Sequence, residues 1–442
     1  MIKISKKFLF KAGVAMTLSS LIAGTASAAA FQLWEENGAG VGDYHAGAAA
    51  EANDASTGFY NPAGLTRIKN PQVVVGAALI DTNFTFKGSE IIELNGTAVQ
   101  TESGRAHGGN FNAIPNFHFS TPLTKRLFFG FGITTPFGLE TNWGDNSVVR
   151  YSATKSAIQT INLNPNFAYL ISDNFSFGAG VDYQYLHGEF DQAVLQPVSQ
   201  ANFLSTNTGM DWALGWNAGV LFQRDQSGLY GTRVGLSYRS QIVHHLQGSS
   251  TMVNQATGQT VNRSGDVKAD VTLPGTSTLS AFQQLGQKWS VMGTAMFTRW
   301  TSITALTLRN VAGVPNLTPS KMDDSVYFGY NNSWNFALGA HYQMTREFML
   351  RFGTGYDLTP TNRNRDIRLP DENRFVLAIG GQYKLNQKLS FDLGLAHFFV
   401  AKAKVKKTIL VASTGGLNDD ATTDGNVTGY ANVVGLQMTW NI

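Results

Sequence analysis

From residue 71 onward, apolar and polar side chains alternate one by one, the period-2 mark of strands that show a different face to each side. Val434, Leu436, Met438, Trp440 and Ile442 share one face of the last segment, and Gly435, Gln437, Thr439 and Asn441 share the other. Leu127, Phe129, Phe131 and Ile133 alternate in the same way with Gly130, Gly132 and Thr134. Phe348, Leu350 and Phe352 oppose Arg351, Gly353 and Gly355, and Leu389, Phe391, Leu393 and Leu395 oppose Ser390, Asp392 and Gly394. In each case the second face is polar and rich in glycine.

The connections between these segments are lopsided. Tight turns fall near Leu123–Lys125, Ser172–Asn174, Arg224–Ser227, Gly286–Lys288, Met344–Arg346 and Leu385–Gln387. Long connections fall near 88–110, 140–155, 191–208, 248–263, 310–325, 360–372 and 403–427. The strict alternation of short and long predicts an all-β fold, a 14-stranded antiparallel transmembrane β-barrel with short periplasmic turns, long outer loops and both chain ends on the periplasmic side. In lipid every backbone N–H and C=O must find a partner within the protein, so a sheet that spans a membrane has to close on itself. The strands are longer than a crossing needs, which predicts a barrel that projects beyond the outer leaflet. Trp212, Trp216, Trp300, Trp334, Tyr238, Tyr383 and Trp440 are candidates for aromatic girdles.

The N-terminus fixes the compartment. Lys3, Lys6, Lys7 and Lys11 precede an apolar stretch from Val14 to Ala23, and Ala26-Ser27-Ala28 supplies an A-x-A cleavage signal, so residues 1–28 read as a secretory signal peptide. The stretch is shorter than the roughly 20 residues a spanning helix needs. Loss of these lysines turns a formal charge of +3 slightly negative, so nucleic acid is not an implied partner. With no cysteine there is neither a disulfide framework nor a thiolate metal site. Glycine, 46 of 442 residues, stands above the soluble average of about 7%, and charge, at 14%, falls below the usual share of roughly a quarter, a skew that suits a single barrel domain over 71–442.

Residues 29–70 do not alternate. They are rich in Gly, Ala and Asn, carry the apolar side chains Phe31, Leu33, Trp34, Phe59, Tyr60 and Leu65, and suggest a short helix around Asp43–Asn53. Such a segment cannot face lipid as a strand, and a ring of this size would otherwise hold an open water-filled lumen, so it is expected inside as a plug, or hatch. One strand carries the sequence Thr134-Thr135-Pro136-Phe137-Gly138. Proline cannot donate to the ladder and a closed barrel has no edge to hide it, which predicts a kink at Thr135, Pro136, Phe137 and Gly138, with Pro115 and Pro165 weakening the neighbouring strands. The kink either curves the strand or opens a gap through which an apolar molecule passes sideways.

Several motifs, in order and spacing, resemble the outer-membrane long-chain fatty-acid and hydrophobic-compound transporters of the FadL/TodX type (OMPP1). They are the mature start Ala29-Ala30-Phe31-Gln32-Leu33, Asn61-Pro62-Ala63, Gly215-Trp216-Asn217-Ala218-Gly219, Tyr238-Arg239-Ser240, and Leu369-Pro370-Asp371 followed by Arg374-Phe375. The resemblance implies passive uptake of a hydrophobic compound, long-chain fatty acids first, in the outer membrane of a Gram-negative bacterium. It implies a hydrophobic groove between loops 190–208 and 247–263, then an apolar pocket touching Phe31, Gln32 and Leu33, then exit by the kinked strand. Aromatic hydrocarbons are the alternative cargo. The two positions that resemble the family's basic head-group partners fall near Gln192 and Asn331, which are uncharged, so another base such as Arg351, Arg239 or Arg299 would have to substitute, or the cargo carries less charge. No cofactor and no metal is implied, and a monomer is expected.

Two rival classes remain. No Ser–His pair has a spacing that singles out a hydrolase, and His118, His187, His341 and His397 read as structural; His244-His245 lacks further metal ligands. A general porin would want an open, charge-lined constriction in place of the apolar N-terminal segment. Lys402, Lys404, Lys406 and Lys407 are candidates to grip lipopolysaccharide phosphates, outer-membrane lipid being the surrounding partner.

Overall fold

In the computed structural model, residues 30–442 are described except 197–198, 227–229, 316–317, 362–364 and 415–416; the expected signal peptide, 1–28, lies outside them. Fourteen antiparallel strands close into one ring. The first six are β1 (Gln72–Leu94), β2 (Thr97–His107, then Phe111–Pro122), β3 (Leu127–Thr134, then Gly138–Asn142), β4 (Lys155–Ser172), β5 (Phe175–Gln196) and β6 (Ala201–Gln226). Then come β7 (Tyr230–Arg239, then Ile242–Asn254), β8 (Thr260–Leu273, then Thr276–Leu285), β9 (Trp289–Thr298, then Ala305–Ala312) and β10 (Lys321–Tyr327, then Ser333–Gln343). The last four are β11 (Phe348–Asp357), β12 (Arg374–Lys384), β13 (Leu389–Val400, then Ala403–Thr414) and β14 (Leu417–Asn441). The ring shuts between first and last strands, in register from Gln72↔Asn441 to Leu94↔Asp419.

The alternation is realised as two surfaces of opposite character. Leu377, Ile379, Leu393, Leu395, Leu338, Leu214 and Trp216 stand exposed on the outside, a greasy band that a soluble monomer would not leave to water. No described helix is long and apolar enough to cross a membrane; the crossing is made by strands. Of the expected girdle, Trp212, Trp216, Trp334, Tyr238, Tyr383 and Trp440 are exposed, but Trp300 is fully buried. It sits on a 3-10 turn, Trp300–Ser302, where β9 breaks and redirects the ring inward against Phe31.

Two further expectations change. Most of the long outer connections are themselves strand: β1 runs on to Leu94, turns at Asn95 and Gly96, both with positive φ, and returns as β2. The barrel therefore extends upward as paired ribbons, and β6 and β7 stay zipped as far as Phe203↔Asn254, so 190–208 and 247–263 are neighbouring hairpins of one sheet with an apolar inner side. Residues 43–53 do not form a helix; the helical turns lie on either side, at Gly40–Asp43, Thr57–Tyr60 and Pro62–Arg67.

Residues 30–70 lie against the inward faces of strands on opposite sides of the ring. The turn Gly40–Asp43 touches β11, β12, β13 and β14, and Pro62–Arg67 touches β3, β4, β5 and β6. The glycines of the inner wall explain how main chain can pack on main chain: a Cβ added at Gly394 would come within 2.5 Å of the Gly42 nitrogen.

Candidate functional site

Asn61 begins the last helical turn and pins it to the wall. Its side-chain oxygen accepts the Ala63 N–H at 3.1 Å, and its amide donates to the carbonyls of Ala49 (2.7 Å) and Val220 on β6 (3.0 Å). Pro62 follows at the first helical position, where no N–H is needed, and Ala63 is wholly buried because Gly178 leaves room for its backbone. Across the ring, Asp43 meets His341 Nε2 at 2.6 Å and Arg351 at 3.4 Å; Arg351 also pairs with Asp392 at 2.8 Å, and Glu51 stands 3.4 Å from His341 Nδ1. His118 on β2 meets the Glu36 carbonyl at 2.8 Å, and Arg239 pairs with Asp182 while donating to the Phe59 carbonyl at 2.8 Å. The buried histidines and arginines of the lumen thus tie residues 30–70 to the wall.

The interrupted strand lies against the start of this segment. β3 pairs with β2 only as far as Phe117↔Ile133, and beyond Pro136 it pairs with β4 alone. Its bare backbone is met by the N-terminus: Leu33 donates to the Pro136 carbonyl at 2.9 Å, Gly138 donates to the Phe31 carbonyl at 2.8 Å, and Gln32 bridges to Phe137. Thr135 donates to the Glu36 carboxylate at 2.8 Å. Glu36 belongs to the N-terminal segment, outside the spanning strands; burial, reinforced by the charge of Glu35, pushes it up to about 8 against the pull of the Thr135 N–H and Arg239. Pro165 has a milder effect on β4: Asn164 donates its side-chain amide to the Val181 carbonyl at 2.8 Å, replacing a ladder bond.

Two cavities lie along residues 31–34. One, of about 210 Å³, is walled by Phe31, Ile158, Leu306, Phe328 and Tyr330, with Arg368 and Leu369 closing one side. The other, of about 40 Å³, lies beside Gln32, Leu33, Trp34 and Pro136. Phe31 is held edge-on to Trp300 at 4.8 Å and tilted against Phe137 at 6.0 Å.

The three polar residues expected at a ligand head group do not converge. Asn331 is exposed and donates its backbone N–H to Pro360; Arg351 is committed to Asp43 and Asp392 and does not line the Phe31 cavity. Gln192 is buried, and its side-chain oxygen receives Arg368 Nη2 at 2.6 Å. Arg368, which sequence reasoning missed, is the cation at the cavity, and Asp366 balances it at 3.2 Å. The signal was the run Arg365-Asp366-Ile367-Arg368-Leu369-Pro370-Asp371 in a segment read as an outer loop. It folds inward and is buried throughout, and Asp371 accepts the Ala30 N–H at 3.0 Å. Above, the segment 143–154 also turns inward, its Tyr151 and Ser152 N–H groups held by the Glu90 carboxylate at 3.0 and 2.8 Å.

Over residues 19–441 the sequence matches the family described as outer membrane protein transport protein (OMPP1/FadL/TodX). Outer membrane protein P1 of Haemophilus influenzae is 27% identical, covering 98% of this chain and 99% of that protein. The long-chain fatty acid transport protein of Escherichia coli K12 is 26% identical, covering 91% of this chain and 95% of its own. Among solved structures, a Pseudomonas aeruginosa FadL homologue superposes with a TM-score of 0.80 at 23% identity, covering 93% of this chain and all of that one. The Ralstonia pickettii toluene transporter TbuX superposes with a TM-score of 0.65 at 17% identity, covering 92% and 100%.

Proposed function

From the premise that this chain belongs to the OMPP1/FadL/TodX family of outer membrane transport proteins, in the outer membrane of a Gram-negative bacterium, we propose that it is a passive uptake channel for long-chain fatty acids. The chain carries hydrophobic compounds rather than performing chemistry on them. Its 29–70 segment acts as a hatch, and it works as a monomer. One observation carries the reading: a largely apolar cavity, whose described lining also includes Arg368 and Asp270, is closed below by Phe31–Leu33, and those residues pair with the edge of β3 that β2 has left. A tail captured at the outer hairpins would settle in the cavity with its carboxylate toward Arg368, and a shift of Phe31–Leu33 would join the cavity to the gap in the wall. No energy source is needed; each step is a partition between apolar sites, and binding that is too tight at any one of them would slow the next.

The cationic positions of the outer rim fit lipopolysaccharide as the surrounding lipid. Register places Arg105, Lys87, Asn426 and Lys404 side by side on β2, β1, β14 and β13, and Lys402 and Lys406 are exposed nearby.

Two measurements test the transport reading. In a Gram-negative host lacking such a channel, Arg368→Leu should lower the initial rate of radiolabelled oleic acid uptake by about tenfold, the order expected for one charge-assisted contact, and leave toluene uptake unchanged. Equal loss for both would refute the head-group role. A second reading, aromatic hydrocarbon uptake, is favoured by the prior engagement of Arg368 with Asp366 and Gln192, and would appear as toluene transport with Arg368→Leu neutral for every cargo. Large, steady ionic current in a planar bilayer would instead indicate a general porin and rule out a seated hatch.

A further inference from the structure

The seam between β2 and β3 ends in polar side chains with nothing to bond to. Continued past Phe117↔Ile133, the register would set Asn116 opposite Thr134 and Asn112 opposite Gly138. All three side chains point inward and are buried, at 4%, 1% and 2% exposure for Asn116, Thr134 and Asn112. Among the described residues, Asn116 has neither amide atom bonded and Thr134 Oγ1 and Glu36 Oε1 are also without partners; Asn112 Nδ2, four residues further along the strand, is another such group. Glu36 is fixed beside them, since its other carboxylate oxygen takes the Thr135 N–H and its carbonyl meets His118, two residues along β2 from Asn116. A buried amide without a partner is costly, and several at one place call for an occupant that satisfies them.

We infer that this notch is a head-group site, taking the uncharged polar end of an amphiphile, a protonated carboxylic acid or an alcohol, while the chain leaves between β2 and β3. The inference rests on the transport reading above and deepens it by specifying the cargo's head. Both donors and acceptors are present: Asn116 Nδ2 offers N–H groups and Asn116 Oδ1 accepts, while Thr134 Oγ1 and the protonated Glu36 carboxyl at Oε1 can each do either. A hydroxyl or carboxyl does both at once. An ionised carboxylate fits poorly, because the arginine nearest in influence, Arg239, is already spent on Asp182 and the Phe59 carbonyl. A plain hydrocarbon would leave every one of these atoms as it found them. The notch also solves a problem that any exit into lipid poses, since a polar head at membrane depth otherwise has no partner.

The test compares three cargoes of equal chain length, oleic acid, oleyl alcohol and 1-octadecene, as radiolabelled uptake into the complemented host. Replacing Asn116 and Thr134 together by valine should slow the acid and the alcohol about fivefold, the effect of losing about one hydrogen bond, with octadecene unchanged and so serving as the control for a folded, inserted barrel. Equal slowing of octadecene, or no slowing of any cargo, overturns the inference while leaving the transport reading intact. A wild-type chain that carries none of the three above the empty host overturns both.

Discussion

Arg351 is the residue on which the largest buried charge group turns. It carries a positive charge among Asp43, Asp392 and the Glu51–His341 pair, all on the inside of the ring. Such a cluster contributes little net stability compared with apolar packing, but removing one partner leaves uncompensated charge and costs about 3–5 kcal/mol. Asp43 and Glu51 belong to the N-terminal segment and Arg351, His341 and Asp392 to the wall, so part of the cost should fall on the docking of that segment, while Asp392 keeps Gln382 as a partner within the ring. Arg351→Met is therefore expected to leave the folded barrel's gel mobility unchanged while making residues 30–70 open to protease and adding brief current bursts in planar bilayers. Unchanged protection would show that the cluster does not fasten the segment. Sequence reasoning nominated Arg351 as a stand-in for the basic head-group positions that fall near the uncharged Gln192 and Asn331; its partner Asp43 is 308 positions away and invisible to local spacing.

Among the elements, β3 and the N-terminal residues have to be understood together. Proline at 136 removes a donor and β2 departs, yet the strand does not keep a wholly bare edge, because Phe31–Leu33 supplies donor and acceptor in their place. The interruption was legible from one proline; its partner was not, since a short Gly/Ala-rich stretch carries no period to announce a bridge. The breaks in the other six interrupted strands were not predicted, although Gly108-Gly109 and Pro274-Gly275 mark two of them. Glycines of the inner face were legible as a pattern but not in purpose: several of them admit the main chain of the N-terminal segment. Gly394→Leu should thus clash with Gly42 and Val41, and the altered barrel is expected to insert normally but to lose protection of residues 30–70, which limited proteolysis in detergent would reveal. Full protection would mean that the two backbones can part without consequence.

For the whole molecule, the ring and its strand number followed from two plain features, one-by-one alternation and the short-long rhythm of the connections, because a closed sheet in lipid allows few other solutions. What stayed hidden were the inward-folded pieces, 143–154 and 365–371, whose polar side chains read as solvated loop until the ring supplied their partners. The first and last strands are joined along their full length, and residue 71, just before β1, bonds to Ile442. Enclosure therefore completes only when both of these strands are in place, and residues 30–70 are expected to be seated before the circle shuts. A peptide of residues 29–70 supplied afterwards should fail to enter a finished barrel lacking it, yet be captured when both refold together, a difference that co-purification would record. That outcome would mean an interior furnished before the door is hung, and would tie the success of assembly to the order in which the paired first and last strands arrive.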